Sequence, residues 1–182
     1  MVALSAPPEL EPAPREVASA AAPTSLVVSR QLRIWPFAPR SVRLLLLVDP
    51  SRADAALTRG LLRAMQHCCL GLDTGSQTNA IRAAVHAVHY VLRHHNHQVL
   101  PEAHVTAATA VAAVRGPIAY VALSGEAAAL AWGNGRLTGQ RTLARGSRPL
   151  GQEQQPRVTL WSTPLRRGDS LVLVCGARWG PD

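Results

Sequence analysis

Lysine is missing from this 182-residue chain: its 19 basic residues are all arginine, set against 11 acidic residues for a formal charge of +8. Aromatic residues are almost as scarce, with four Trp, two Tyr and one Phe. The arginines are scattered from Arg15 to Arg178, and their closest groupings are small ones such as Arg30/Arg33, Arg40/Arg43 and Arg141/Arg145/Arg148. Nucleic-acid binders concentrate positive charge on one face and interleave aromatics that stack on bases. Neither feature occurs, so no nucleic-acid partner is expected. The excess charge leaves an anionic or phosphorylated partner open.

Cysteine is also sparse. Cys68, Cys69 and Cys175 have neither CxxC spacing nor a paired framework. They read as small buried hydrophobes in a reducing compartment. No run reaches the ~18 apolar residues of a spanning helix, and the N-terminus lacks the charged start and apolar middle of a secretory signal. A cytoplasmic protein with no membrane partner is therefore expected. Nucleophile elbow and P-loop are both missing, which removes the common carriers of acyl- and nucleotide-based chemistry.

What is present divides the chain in two. Residues 1–24 are rich in Ala, Pro and Glu without sustained periodicity, a composition that cannot offset its ordering entropy by burial, so they read as a disordered tail before a domain at 25–182. Two β-rich runs follow at 25–34 and 41–49, separated by "WPFAPR", whose prolines break a continuous strand. From Ser51 to Leu72 apolar residues recur at three and four, which predicts an amphipathic helix with Ser51 as its candidate cap. A second helix is predicted from Gln77 to about His95, with Ile81, Ala84, Val85, Val88 and Leu92 on one face.

Past Pro101 the pattern changes to short β-runs, and "GNG" at 133–135 marks a tight turn inside an expected meander, "AYVALSGEAAALAWGNGRLT". Strands, a helix pair and then many strands argue for an α+β sandwich of antiparallel sheets covered by helices.

His86, His89, His94, His95 and His97 crowd the end of the second predicted helix. His86 and His89 are one turn apart, a spacing that can chelate Zn²⁺, with His97 on a similar face. No Glu stands between them as in a metalloprotease helix, and no Cys is near. The simpler reading is a polar, partly protonatable helix end, and no metal is assigned.

Taken together, these segments resemble the metal-dependent protein phosphatases of the phosphatase 2C type, including the sporulation-protein-E-like bacterial branch. "LLLLVDPS" is similar to the family strand ending V-x-D-G-x-G-G, with Asp49 at the Asp. "ATAVAAVRGPIAYVALSGEAAALAWGNGRLT" resembles the family's G-T-T strand, its G-D-S-R strand and its R-D-G turn, with Glu126 near the acidic position. "LRRGDSLVLVCGARWG" looks like the run that ends D-G-L-W-D, with Gly176 in place of its metal-binding Asp. The resemblance implies a phosphatase-2C-like antiparallel sandwich flanked by helices and lacking the C-terminal part of the family fold. That part carries closing strands and a D-N motif. The expected cover for the corresponding surface is a homodimer or an added partner strand, with a folded-back Pro-rich tail as the plainer alternative.

Family activity, as the resemblance implies it, uses two Mg²⁺ or Mn²⁺ ions to activate a water that attacks phosphoserine or phosphothreonine. Two adjacent dications need several carboxylates to offset their repulsion. Here no acidic residue occurs between Glu16 and Asp49, Pro50 follows Asp49 where the family has Gly, and position 176 is Gly. Asp49, Glu126 and Gly176 therefore read as a relic metal site without a catalytic residue, Asp49 having the alternative role of bonding backbone amides as a helix cap. Arg30 and Arg33 are candidate phosphate contacts, or simply the solvated face of a strand.

The expected function is a pseudophosphatase acting as a protein-interaction or regulatory module. Its expected partner is a protein, with a phosphoprotein or protein kinase suggested by the resemblance. The alternative is a metal-dependent serine/threonine phosphatase with an atypical, weakly bound Mn or Mg site.

Overall fold

A computed structural model describes residues 2–5, 28–32, 42–51, 53–69, 76–143, 147–166 and 168–175. Three layers are stacked. A five-stranded sheet contains β2 (Val28–Leu32), β3 (Val42–Pro50), β4 (Ala107–Arg115), β5 (Ile118–Ser124) and β8 (Thr159–Pro164), in that spatial order. A four-stranded sheet runs β1 (Val2–Ser5), β9 (Ser170–Cys175), β6 (Ala127–Gly133), β7 (Arg136–Thr142). Every strand pairing is antiparallel. Helices α1 (Ala55–Cys68) and α2 (Gln77–Asn96) pack against one another and on β3, β4 and β5, while β6 and β9 cover the opposite face of that sheet. The expected sandwich, with both helices on one outer face, is the observed architecture.

Strand geometry explains why the central strands read as continuous apolar runs. Successive side chains point to opposite faces, and a strand covered on both faces must be apolar at every position. Val111 and Ala113 of β4 meet Leu61, Met65, Ile81, Val85, Val88 and Leu92 of the helices. Ala110 and Ala112 of the same strand meet Ala129, Leu171 and Leu173 of the other sheet. Alanine dominates this second core, so the sheets interlock through backbone proximity and small side chains rather than large aliphatic ones.

Four local expectations are corrected. The first helix begins at Ala55, later than its pattern suggested, because Asp54 is its N-cap: the carboxylate accepts the Leu57 N–H at 2.6 Å. Ser51 instead accepts the Thr106 N–H at 3.0 Å and ties the end of β3 to the segment before β4. Asp49, the other candidate cap, lies within the β3 ladder opposite Ala108.

The expected meander is broken between β5 and β6, which belong to different sheets. Gly125, at φ +70°, makes the crossing against Ala108, where a Cβ would stand 2.9 Å from the Ala108 Cα. The β6–β7 connection is the tight turn that "GNG" indicated, with Asn134 at φ 53° and Gly135 at φ 72°.

Finally, Val2–Ser5, set aside as part of a tail, form a strand on β9 in register with Ser170–Leu173. The run "VALS" has no proline to interrupt main-chain pairing, whereas Pro7 and Pro8 follow at once.

Candidate functional site

Backbone register gathers the positions singled out in the sequence. Asp49 stands opposite Ala108, Thr109 opposite Ser124, and Ala127 opposite Cys175. The C-terminal end of β3, the β5–β6 crossing and the exit of β9 therefore converge on one end of the two sheets. Glu126 is half-buried in that crossing. Gly176, which follows Cys175, lies outside the described residues, as does Arg33.

Arg30 is placed on β2 opposite Leu44. Leu44 is 49 − 44 = 5 positions before Asp49, about 17 Å along an extended strand. The strand pairing thus keeps the Arg30 backbone apart from the end where β3 closes and the β5–β6 crossing lies.

Among the described residues, the acids that strand register brings to this end are Asp49 and Glu126. Their neighbours in the ladders are Ala107, Ala108, Gly125 and Ala127, which contribute no donor side chain. Asp54 is engaged as the α1 cap. Glu153 forms ion pairs with Arg148 and with Arg157, the latter at 3.6 Å. Among the described residues no group of three or more His, Cys, Asp or Glu could hold a metal ion. Among the described residues, two acids with neutral neighbours do not amount to the dense shell of oxygen ligands that a pair of hard dications requires.

A second polar region escaped the sequence reading. The segment 147–157, between β7 and β8, is fastened to the last turns of α2. Buried Asn96 donates to the carbonyls of Val105 at 2.9 Å and Gly151 at 3.2 Å, and accepts the Val105 N–H at 2.8 Å. His89, fully buried, accepts the Gly151 N–H on Nδ1 at 3.2 Å, while its Nε2 has no hydrogen-bond partner among the described residues. Burial pushes the His89 pKa down, opposed by the nearby Gln154 and Glu153 backbone and reinforced by Arg93 and His86. Arg93 donates to the Gln154 carbonyl at 3.0 Å, and Ser124 Oγ to the Arg157 carbonyl at 2.8 Å. Only the i, i+4 or i, i+7 spacing of His89, Arg93 and Asn96 marked this rail in advance, and that spacing is indistinguishable from a polar edge on an amphipathic helix.

The histidine cluster is divided by this arrangement. His89 belongs to the rail, the His86 ring lies tilted at 43° with its centroid 6.3 Å from that of Tyr90, and His94 and His97 interact with Gln98 and Arg93 at the exposed helix end. Cys69 is buried and its thiol is pushed up to about 12 by that burial and by Cys68; burial also raises Cys68. Cys68 and Cys69 are free thiols, and Cys68 and Cys175 are half-buried. Among the described residues no helix is long and apolar enough to cross a membrane.

No family model and no curated protein matches the chain by sequence. Solved structures do match. The Streptococcus serine/threonine phosphatase of S. agalactiae is 12% identical with a TM-score of 0.60, covering 82% of this chain and 77% of its own. The catalytic domain of the serine/threonine protein phosphatase PstP, solved with two manganese ions, is 19% identical with a TM-score of 0.55, covering 82% and 75%. A stage II sporulation E family protein from Thermanaerovibrio acidaminovorans is 20% identical with a TM-score of 0.53, covering 72% and 74%. At these identities the likeness concerns backbone architecture, and the chain has the fold of the phosphatase-2C-type serine/threonine phosphatases.

Proposed function

We propose that this domain is a pseudophosphatase: a phosphatase-2C-like scaffold without phosphatase activity that serves as a cytoplasmic protein-interaction or regulatory module. One observation carries the reading. At the end where β3, the β5–β6 crossing and β9 converge, the ladders supply two acidic residues, Asp49 and Glu126, among alanines and Gly125. A pair of adjacent dications repels strongly, and neutral neighbours cannot offset that repulsion. Without the metal pair no water is activated for attack on a phosphoester. The partner class proposed with it is a phosphoprotein or a protein kinase, suggested by the sequence resemblance to phosphoprotein phosphatases.

The competing reading, a phosphatase with an atypical manganese site, draws on one neighbour that holds two manganese ions. The two separate in an assay of the full chain against an aryl phosphate and phosphoserine peptides with Mn²⁺ or Mg²⁺. The pseudophosphatase shows no turnover above a metal-free blank. Manganese-dependent hydrolysis that disappears in Asp49→Asn overturns the proposal and establishes the competing reading.

A further inference from the structure

Strand β7 ends the four-stranded sheet, with β6 on one side and no strand on the other among the described residues. All seven of its residues except Gly139 are exposed. An open strand of this length carries a row of main-chain donors and acceptors available to another chain. Its side chains specify which chain. The register with β6 shifts between Ala131 and Trp132, so Ala131 pairs with Gly139 and Trp132 with Leu137, and β7 holds one extra residue, Thr138.

Without that bulge, Arg136 and Arg141 would fall on opposite faces, because their separation is odd. With it, Arg136 pairs with Gly133 and Arg141 with Ala129, positions of one face of β6. Gly139, opposite Ala131 on the same face, faces Trp161 of β8, where a Cβ would lie 3.0 Å from the indole. The two arginines therefore flank a small position on one rim, four strand steps or about 14 Å apart. No ion pair among the described residues engages either of them. On the other face Leu137 and Trp132, cross-strand partners, are 43% and 39% exposed.

The geometry points to β7 as a strand-addition site for an acidic extended segment of a partner protein, one with two carboxylates four residues apart, a small residue between them and apolar residues on the alternate positions. Main-chain pairing supplies the docking, the arginine pair selects charge, and Leu137 with Trp132 receives the apolar face. The same arginines, on a chain of formal charge +8, disfavour a second copy of this basic protein. This site does not depend on whether the Asp49 end is catalytically active.

A fluorescent peptide Val-Glu-Val-Thr-Val-Glu-Val, titrated into the full chain with anisotropy and hydrogen-exchange readouts, tests it. The peptide is expected to bind in a salt-sensitive manner and to protect amides of β7, while the counterpart with arginine in both glutamate positions does not bind. Reversing both charges (R136E/R141E) should weaken binding about tenfold, within the range of two exposed ion pairs, and leave the thermal midpoint unchanged. Gln140→Pro, at a position whose main chain turns to the open side because Leu143, three residues on, pairs inward with the Ala127 carbonyl, removes an edge donor without touching either charge and should weaken both peptide binding and β7 protection. Equal binding of the two peptides, no binding, binding indifferent to charge reversal, or β7 amides already protected in a dimer of the free protein would each overturn the proposal.

Discussion

His89 shows how one side chain can link the helix layer to proton concentration. It is fully buried, its Nδ1 accepts the Gly151 N–H, and burial lowers its pKa. The unfolded chain protonates this imidazole as pH falls through about 6.5, whereas the folded chain resists until a lower pH. Between those values the unfolded state binds more protons. The contribution of neutral His89 is thus complete above about pH 6.5 and declines as the medium is acidified toward the folded pKa. Thermal midpoints should fall as the pH drops below about 6.5, and His89→Leu should flatten that part of the profile while lowering the plateau, because the Gly151 N–H loses its acceptor. An unchanged slope in His89→Leu would assign the acid sensitivity to other groups.

Gly125 is the second residue on which the architecture turns. Its φ of +70° and the 2.9 Å approach of a would-be Cβ to the Ala108 backbone both exclude a side chain. Gly125→Ala should cost about 3 kcal/mol from left-handed strain plus overpacking, because the obstructing atom is buried main chain at the start of β4. At this chain length that corresponds to a midpoint lowered by roughly 6–12 °C. A shift of a degree or less would show that the crossing can relax.

At the scale of elements, the sequence announced what periodicity can encode. Both helices carry an apolar stripe at three and four, and α2 runs from Gln77 to Asn96, close to its expected limits. The start of α1 was less legible, since Ser51 and Asp54 are both chemically competent caps and only tertiary context decides between them. Thr106 captures Ser51, and the cap passes to Asp54. Asp54→Ala should therefore destabilise the domain by about 1 kcal/mol, measured by denaturant unfolding, whereas Asp49→Asn should leave the α1 cap intact.

Strand pairing was harder to read. "YVALSGEAAALAW" is apolar throughout, which says that both faces are covered but not that the chain changes sheets at Gly125. The bulge at Thr138 was invisible for a related reason: register depends on the partner strand, and nothing in "RLTGQRT" alone displays it. Likewise, "VALS" was grouped with its proline-rich surroundings because composition averaged over two dozen residues hides a four-residue strand.

On the scale of the molecule, the layers follow from a simple requirement. Two amphipathic helices cover one face of a sheet whose other face meets a second sheet, and the alanine-rich strands allow close approach. That order of layers was legible because helical and strand periodicities occupy separate parts of the chain. Of the candidate site, the sequence offered positions rather than a geometry: Asp49 lies at the end of β3 and Glu126 at the β5–β6 crossing, Arg30 sits on β2 opposite Leu44, and the α2 rail went unseen. A site assembled from strand ends depends on topology, and topology was available only through the likeness of several degraded motifs in order.

Binding of manganese tests the central claim most directly, because it separates the scaffold from the chemistry without depending on a choice of substrate. Mn²⁺ is titrated into the full chain by calorimetry, with the thermal midpoint followed in parallel. The account predicts no saturable site at micromolar concentration and no ligand-induced rise in the midpoint, since two acids among alanines cannot hold a dication pair. Two equivalents of tightly bound manganese, accompanied by a higher midpoint and lost in Asp49→Asn, would contradict it.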